Sequence, residues 1–218
     1  MTSLSTIIMS VAQRRLFNLF KQLKQHEKGD LKIVAPRKTN SNDAVDEKNL
    51  RPIENIWETQ MEFKCFGCST HSKFGLKLTF QRDDAEQVYS SFEISEHYTS
   101  FESVVHGGIL AVVIDDIAFW TVFSKFRKIA LTIGMRIEFK RVAHPNTKLV
   151  ARGRLAKQVD KNRLSVFVDI FNNNETENAK FLICTATVDF QFPTTKQIER
   201  MFGSNFITKY KNQVHFEE

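Results

Sequence analysis

Cysteine is scarce in this chain of 218 residues, with Cys65, Cys68 and Cys184 as the whole set. Three cysteines are an odd number, and their spacing is not that of a set of disulfide bonds. This argues against a secreted domain stabilised by disulfides and favours a reducing compartment. No stretch reaches about 18 uncharged apolar residues, so the sequence predicts no membrane-spanning helix. The N-terminus also lacks the compact apolar region and the small-residue cleavage site of a secretory signal. These absences predict a cytoplasmic location.

Glycine-rich phosphate-binding motifs are missing as well. Neither a Walker A pattern nor a dinucleotide-binding glycine fingerprint occurs, so nucleotide hydrolysis and hydride transfer have no support. The remaining composition, 42% hydrophobic and 26% charged, is ordinary for a globular protein. The length suits one well-cored domain with extensions.

The net charge of +6 is unevenly distributed along the chain. Residues 1–50 hold nine Lys and Arg against five Asp and Glu, whereas the rest of the chain holds 22 against 20. The basic surplus therefore belongs mainly to an N-terminal arm, and the body of the protein is nearly neutral. This distribution argues against a nucleic-acid-binding domain.

The first 28 residues have the apolar spacing of a helix. Two apolar quartets carry this pattern, Leu4-Ile7-Ile8-Val11 and Leu16-Leu19-Phe20-Leu23. A basic side comes from Arg14, Arg15, Lys21 and Lys24. Three interpretations stay open: a helix packed on the domain or on a partner, a weak membrane-surface helix, or an organelle-targeting segment. Residues 29–55 are polar and without period, which predicts a linker, so the arm and linker together cover residues 1–55.

The body of the chain, residues 56–192, has a strand, helix, strand pattern. Residues 88–95 alternate as in a strand, residues 107–126 form one long helical segment, and residues 131–139 alternate again. Three further strand-like runs follow near 147–158, 163–172 and 179–192. One buried helix with long antiparallel strands is an α+β arrangement. In the C-terminal segment 193–218, a capping box from Thr194 to Gln197 predicts a short helix through Met201.

The long helix carries two acids in an otherwise apolar segment. Between Ser103 and Ser124 the only ionisable side chains are His106, Asp115 and Asp116. A helix that is apolar nearly all round is buried, and a carboxylate there is costly unless it is satisfied or used. Pairing with an arginine or exposure at a subunit interface would also explain these acids.

Two glycines, Gly107 and Gly108, open the same helix. Free N–H groups at a helix start favour negative charge, and glycine lets a ligand oxygen approach the backbone, as oxyanion stabilisation requires. A Gly-Gly pair also serves as an ordinary turn. Gly108 and Asp115 lie roughly 10 Å apart along one helix, too far to act on one carbonyl group. Two antiparallel helices in a dimer could bring such a donor and such an acid together.

Residues 105–116, VHGGILAVVIDD, resemble the HGG-x6-D signature of phenylacetate-pathway-type thioesterases in the 4-hydroxybenzoyl-CoA thioesterase superfamily. The upstream CFGC…GLKLTF and the downstream ALTIGMRIEFKRV resemble the family's segments before and after its central helix. The resemblance covers about residues 63–192. It implies the hotdog fold, in which a long central helix is wrapped by a five- to six-stranded antiparallel sheet. It also implies a dimer with sites at the subunit interface. The N-terminal helical arm predicted from the apolar spacing is an addition outside the resemblance.

The resemblance also implies roles for individual residues. Gly107 matches the glycine whose N–H polarises the thioester carbonyl, Asp115 matches the acid that activates water or attacks directly, and Thr132 matches the hydroxyl that positions the water. His106 matches the motif histidine, which is expected to orient the loop. The remaining substrate-binding candidates are Gly108, Asp116 and Ser100. The chain departs from the family before the motif, where residues 100–103 lack an Asn and a Gly, and Ser100 is expected to replace the Asn.

The spacing Cys65-x2-Cys68-x2-His71 is metal-like, but zinc usually takes four ligands. Cys184 and His97 are conceivable completing ligands, and nothing in the sequence brings them close. Since the resemblance accounts for the paired cysteines without a metal, no metal site is predicted.

The sequence thus predicts hydrolysis of an acyl-CoA, or possibly an acyl-carrier-protein, thioester, with coenzyme A as part of the substrate and no other cofactor. The expected assembly is a homodimer or a dimer of dimers, with no nucleic-acid partner. Two alternatives are a hotdog module that binds acyl-CoA without turnover and an enoyl-CoA hydratase-like hotdog. The combination of Gly107, Asp115 and Thr132 favours the hydrolase, because a sensor needs no buried acid.

Overall fold

A long helix, α1 (Gly107–Phe126), occupies the centre of the fold and has the bounds that the sequence predicts. The computed structural model describes residues 49–58, 63–172 and 181–216. Nine residues of α1 are buried, namely Leu110, Val113, Ile114, Ile117, Ala118, Trp120, Thr121, Val122 and Phe123. Burial of each large apolar side chain contributes about 1.5–3 kcal/mol, so packing rather than helix propensity holds α1 in place.

An antiparallel sheet packs against α1. Its five long strands are β3 (Val88–Phe92), β6 (Leu131–Phe139), β7 (Leu149–Gln158), β8 (Arg163–Asn172) and β9 (Phe181–Gln191). Two short strands, β1 (Arg51–Pro52) and β2 (Gln81–Arg82), extend it, in the order β1-β2-β3-β7-β8-β9-β6. The α+β class and the hotdog fold, a helix wrapped by an antiparallel sheet, are confirmed. The sheet starts at Arg51, within the range 1–55 that the sequence assigns to arm and linker.

A separate two-stranded sheet leads into α1. It consists of β4 (Thr99–Phe101) and β5 (Val104–Val105). The N–H of Val105 donates to the carbonyl of Ala143 over 2.9 Å, and the N–H of His106 donates to the carbonyl of Tyr98 over 2.9 Å. These bonds fix the loop that opens the helix.

The sheet approaches the helix closely at Gly153 on β7. A Cβ atom at this position would overlap the hydroxyl of Thr121 and lie 3.1 Å from the carbonyl oxygen of Ile117. The absence of a side chain therefore sets the distance between the layers.

The strand after the helix, β6, lies at one end of the sheet and pairs with β9 along one side. The alternation expected for residues 131–139 is interrupted, because the register shifts between Thr132 and Gly134. A bulge of this kind depends on the partner strand, so the strand's own sequence does not reveal it. Leu131, Ile133 and Phe139 are exposed apolar side chains on this strand.

The C-terminal segment packs over the end of α1. The predicted capping box is present at Thr194 and Gln197, and it opens α2 (Thr195–Phe202), which is followed by a helix that the sequence did not predict, α3 (Ser204–Tyr210). Trp57 packs against Phe123 of α1 and Tyr210 of α3, with ring centroids 5.6 and 4.6 Å away. Residues that precede the long strands in the chain, such as Trp57, and residues that follow them, such as Tyr210, thus belong to one core.

By length and composition α1 could cross a membrane, with a mean hydropathy of 1.6 over an 18-residue window that is half buried inside the protein. Its packing against the sheet accounts for this composition, since a core helix meets the same criterion. The helical quartets predicted within residues 1–28 and most of the predicted linker lie outside the described residues.

Candidate active site

Asp115 and Thr132 form the centre of the candidate site. The hydroxyl of Thr132 donates a hydrogen bond to Oδ1 of Asp115 over 2.7 Å. The bulge in β6 begins at Thr132, at the point where the strand passes the helix. Asp115 is only partly buried, so the site is open to ligands. Helix and strand therefore bring together two residues that the resemblance places in one mechanism.

The start of α1 presents a second polar group. Nδ1 of His106 accepts a hydrogen bond from the N–H of Gly108 over 2.9 Å, so His106 caps the helix. This position agrees with an orienting role for the histidine. The N–H of Gly107, the first residue of α1, has no acceptor within the helix. Of the two glycine amides, that of Gly107 is thus the one left to bind a ligand oxygen.

Phe139, at the end of β6, lies beside Gly107. A Cβ atom on Gly107 would meet the ring of Phe139 at 3.2 Å. The ring is half exposed and forms one wall next to the Gly107 amide. Sequence analysis did not single out Phe139, because it is one of several apolar residues on an alternating strand and carries no chemical signal.

Within one chain, Gly107 and Asp115 are separated by eight residues of the same helix, or about 12 Å of helix rise. The structure therefore unites Asp115 with Thr132 and His106 with the two glycines, but it does not unite these two groups. Ser100 lies exposed on β4, near the start of α1 in sequence.

The side chain of Asp116, the neighbour of Asp115, faces the Cys65 thiol and not Thr132. Both of its carboxylate oxygens lie 3.8 Å from Sγ of Cys65. Burial raises the pKa of Asp116 to about 8, and the negative charges of Cys65 and Asp115 contribute to this rise. The two acids thus differ in environment, because successive residues of a helix point about 100° apart.

The paired cysteines lie in contact with each other. Sγ of Cys68 lies 3.1 Å from Sγ of Cys65. The hydrogen bond from the Cys68 thiol, together with backbone N–H donors, lowers the pKa of Cys65 to about 6, although burial opposes this. The same hydrogen bond and burial raise the pKa of Cys68.

The other metal candidates from the sequence lie elsewhere. His71 contacts the carbonyl oxygen of Glu58 at 3.1 Å, His97 lies in an exposed turn at 96–98, and Cys184 is fully buried in β9. Burial raises the pKa of the Cys184 thiol to about 12, which agrees with its interpretation as a small buried hydrophobe.

Residues 102–179 match the family model of the thioesterase superfamily. The matched segment contains α1, β6, β7 and β8 and therefore Asp115 and Thr132. The match confirms the resemblance at the level of the superfamily and supports thioester hydrolysis in general. No curated protein matches the chain.

Several solved structures are similar to the chain. A phenylacetic acid degradation-related protein from Ralstonia eutropha JMP134 is 21% identical, with a TM-score of 0.47 over 53% of this chain and 85% of that one. The E. coli PaaI protein of the phenylacetic acid degradation operon is 15% identical, with a TM-score of 0.48 over 54% and 80%. An acyl-CoA hydrolase from Staphylococcus aureus, solved with butyryl coenzyme A, is 15% identical, with a TM-score of 0.47 over 58% and 85%.

Proposed function

We propose that this chain, whose central helix and following strands match the thioesterase superfamily, hydrolyses acyl-CoA thioesters to the free acid and coenzyme A. The observation that carries the proposal is the hydrogen bond from Thr132 to Oδ1 of Asp115. It holds a carboxylate in a fixed orientation on a helix that is apolar along most of its length. Among the described residues no hydrogen bond occupies the second oxygen, Oδ2, which is available to act as a base or a nucleophile.

Asp115 acts on the thioester in one of two ways. As a general base it takes a proton from water while the water oxygen attacks the carbonyl carbon. As a nucleophile it forms an acyl anhydride, which water then opens. In both routes the carbon–sulfur bond breaks, the thiol of coenzyme A leaves, and the acid is released. Thr132 serves both routes because each needs the Asp115 carboxylate in a fixed orientation.

The amide of Gly107 supplies the second requirement, stabilisation of the negative charge on the carbonyl oxygen. It lies at the positive end of the α1 dipole and has no acceptor within the helix. Because His106 already occupies the N–H of Gly108, the histidine leaves one amide for the substrate. Removal of such a donor in other enzymes costs about 10²–10³ in turnover.

A complete site needs two chains, since Gly107 and Asp115 of one helix are about 12 Å apart. In an antiparallel pair of α1 helices, Gly107 of one protomer faces Asp115 of its partner. The exposed apolar residues Leu131, Ile133 and Phe139 lie on an end strand of the sheet, which is the kind of edge that pairs with another chain. This placement supports assembly through β6.

The choice of acyl-CoA follows from the thioesterase resemblance, and the experiment that tests it is a coenzyme A release assay. Purified protein is incubated with acyl-CoAs of increasing chain length, with an acyl-carrier-protein thioester and with an enoyl-CoA. We expect free thiol to appear with acyl-CoA substrates at a rate proportional to protein concentration. Saturable binding of acyl-CoA without thiol release would identify a binding module, and hydration of the enoyl-CoA would identify a hydratase; either result overturns the proposal.

A further inference from the structure

The turn formed by residues 65–68 lies against the second acid of the central helix. Sγ of Cys65, Sγ of Cys68 and a carboxylate oxygen of Asp116 all lie within 4.8 Å of one another. Cys68 is buried, and the other two residues are partly buried. We call these three residues the thiol–carboxylate cluster. Fifty-one residues separate Cys65 from Asp116, so only the fold brings them together.

The backbone builds this cluster by several specific contacts. The N–H of Ser69 donates to the carbonyl of Cys65 over 3.2 Å and closes the turn, and the N–H of Cys68 points at Sγ of Cys65 over 3.4 Å. Gly67 lies directly against the Asp116 carboxylate, and a Cβ atom there would overlap it. The turn is thus shaped around the acid, with an N–H donor directed at a sulfur atom.

The cluster places three groups that can each carry a negative charge close together. The described contacts of the Asp116 carboxylate are with the Cys65 thiol, and the charges of Cys65 and Asp115 both raise its pKa. A partly buried set of two thiols and a carboxylate is costly in its ionised form unless a positive charge compensates it. A divalent cation would compensate all three groups at once.

We propose that Cys65, Cys68 and Asp116 bind one Zn²⁺ ion per chain, with a solvent molecule in the fourth position. Zinc binds thiolate, imidazole and carboxylate ligands, and Cys-x2-Cys is a usual spacing for two of the thiolates. Tetrahedral zinc with sulfur at about 2.3 Å sets the two sulfur atoms about 3.8 Å apart. The thiols, now 3.1 Å apart, reach that separation by a small side-chain rotation.

The participation of Asp116 favours a metal over a disulfide between the two cysteines. A disulfide would join the sulfur atoms and add no positive charge beside the partly buried Asp116 carboxylate. The metal site uses the carboxylate and explains why Gly67 packs on it. The ion would clamp the 65–68 turn to α1 one residue away from Asp115, and this inference does not depend on the proposed hydrolysis.

The test is metal binding by the full-length protein. Reduced, chelator-treated protein is titrated with Zn²⁺ against a chromophoric competitor, and Co²⁺ is used in a parallel titration to detect sulfur-to-cobalt charge transfer in the near ultraviolet. We expect one Zn²⁺ per chain, a thiolate–cobalt band, and a rise in Tm on loading. The variants C65S, C68S and D116N should each weaken binding at least 100-fold, and C184S, which removes a thiol buried in β9, should bind as wild type does.

The wild-type protein alone can refute the proposal, so a variant that fails to fold does not obstruct the test. Full reduction is first verified by titrating three thiols in the denatured chain. If this reduced chain binds no Zn²⁺ or gives no cobalt–thiolate band, the proposal is overturned. Equal loss of binding in C184S would also overturn it, because the ion would then bind elsewhere. Formation of a Cys65–Cys68 disulfide with glutathione disulfide, in protein that binds no metal, would assign the pair a redox role instead.

Discussion

The hydroxyl of Thr132 lies 2.7 Å from Oδ1 of Asp115, although the two residues belong to different elements and are 17 positions apart. The helix brings a carboxylate to its partly exposed side, and the bulge at the start of β6 brings the hydroxyl to it. A bulge next to a polar pair is typical of sites where a strand must direct a side chain. This pair is the basis of the first two predictions.

Asp115→Asn should lower turnover by about 10²–10⁴ while the protein stays folded, because the nearly isosteric amide cannot act as a base. The measurement is coenzyme A release, with circular dichroism and thermal unfolding as checks on the fold. Asp116→Asn is the matched control and should have the smaller effect on metal-free protein. Activity of D115N within a few-fold of wild type would remove Asp115 from the mechanism, and the reverse ranking would transfer its role to Asp116.

Thr132→Val should lower kcat by about 10–100-fold, because a hydrogen bond to a charged group contributes about 1.5–3 kcal/mol. Thr132→Ser keeps the hydroxyl and should stay within a few-fold of wild type. Steady-state kinetics of both variants give the kcat with the hydroxyl (serine) and without it (valine) at the same position. Equal activity of the valine and serine variants would show that the hydrogen bond to Asp115 does not contribute.

Ile133→Lys should weaken self-association and reduce activity in dilute protein at least 10-fold, because it places a charge on the exposed apolar side of the end strand β6. Sedimentation equilibrium and activity are measured over the same concentration range. Val159→Lys is the control, since Val159 is a similarly exposed apolar residue after β7, where the chain turns into β8. A fully active wild-type monomer would contradict the two-chain site.

Removal of residues 1–43 should leave the rate constant for hydrolysis unchanged, because the chain from Ala44 onward is a compact unit by itself. The cut is placed before Arg51, since Arg51 and Pro52 pair with β2. Full-length and truncated proteins are compared in hydrolysis and in flotation with anionic liposomes. Basic residues near such a surface contribute about 1 kcal/mol each and are screened by salt, so only the full-length protein should float, and mainly at low salt.

Two outcomes of the truncation experiment would change this view. Equal flotation of the two proteins would rule out the arm as a membrane tether. A truncated protein that does not fold would show that the apolar quartets of residues 1–28 belong to the core, which is one of the interpretations that the sequence leaves open.

Gly67→Ala should destabilise the fold by about 1–3 kcal/mol, as overpacking usually does, because the new Cβ would overlap the Asp116 carboxylate. Gly134→Ala is the matched control: its Cβ would lie 3.6 Å from Oδ2 of Asp189, an ordinary contact. Urea unfolding of both variants gives the two free energies. Equal stability of the two variants would mean that the 65–68 turn moves freely away from α1.

Local sequence patterns were enough to predict the class of the fold and the region of the site. The period of the apolar residues fixed the helix at 107–126 and the main strands to within a few positions, because hydrophobic periodicity is a local property. The two acids in an apolar helix, together with the HGG motif, indicated Asp115 before any contact was known.

The contacts that each residue makes could be seen only in the folded chain. The fold brought the Thr132 hydroxyl to Asp115, the Asp116 carboxylate to Cys65, and the Phe139 ring to Gly107. It also introduced the bulge in β6 and gave the paired cysteines an acid as a third partner in place of His71, His97 or Cys184. These relationships join residues that are far apart in the chain, so they depend on strand register and on the packing of helix against sheet, which no local pattern contains.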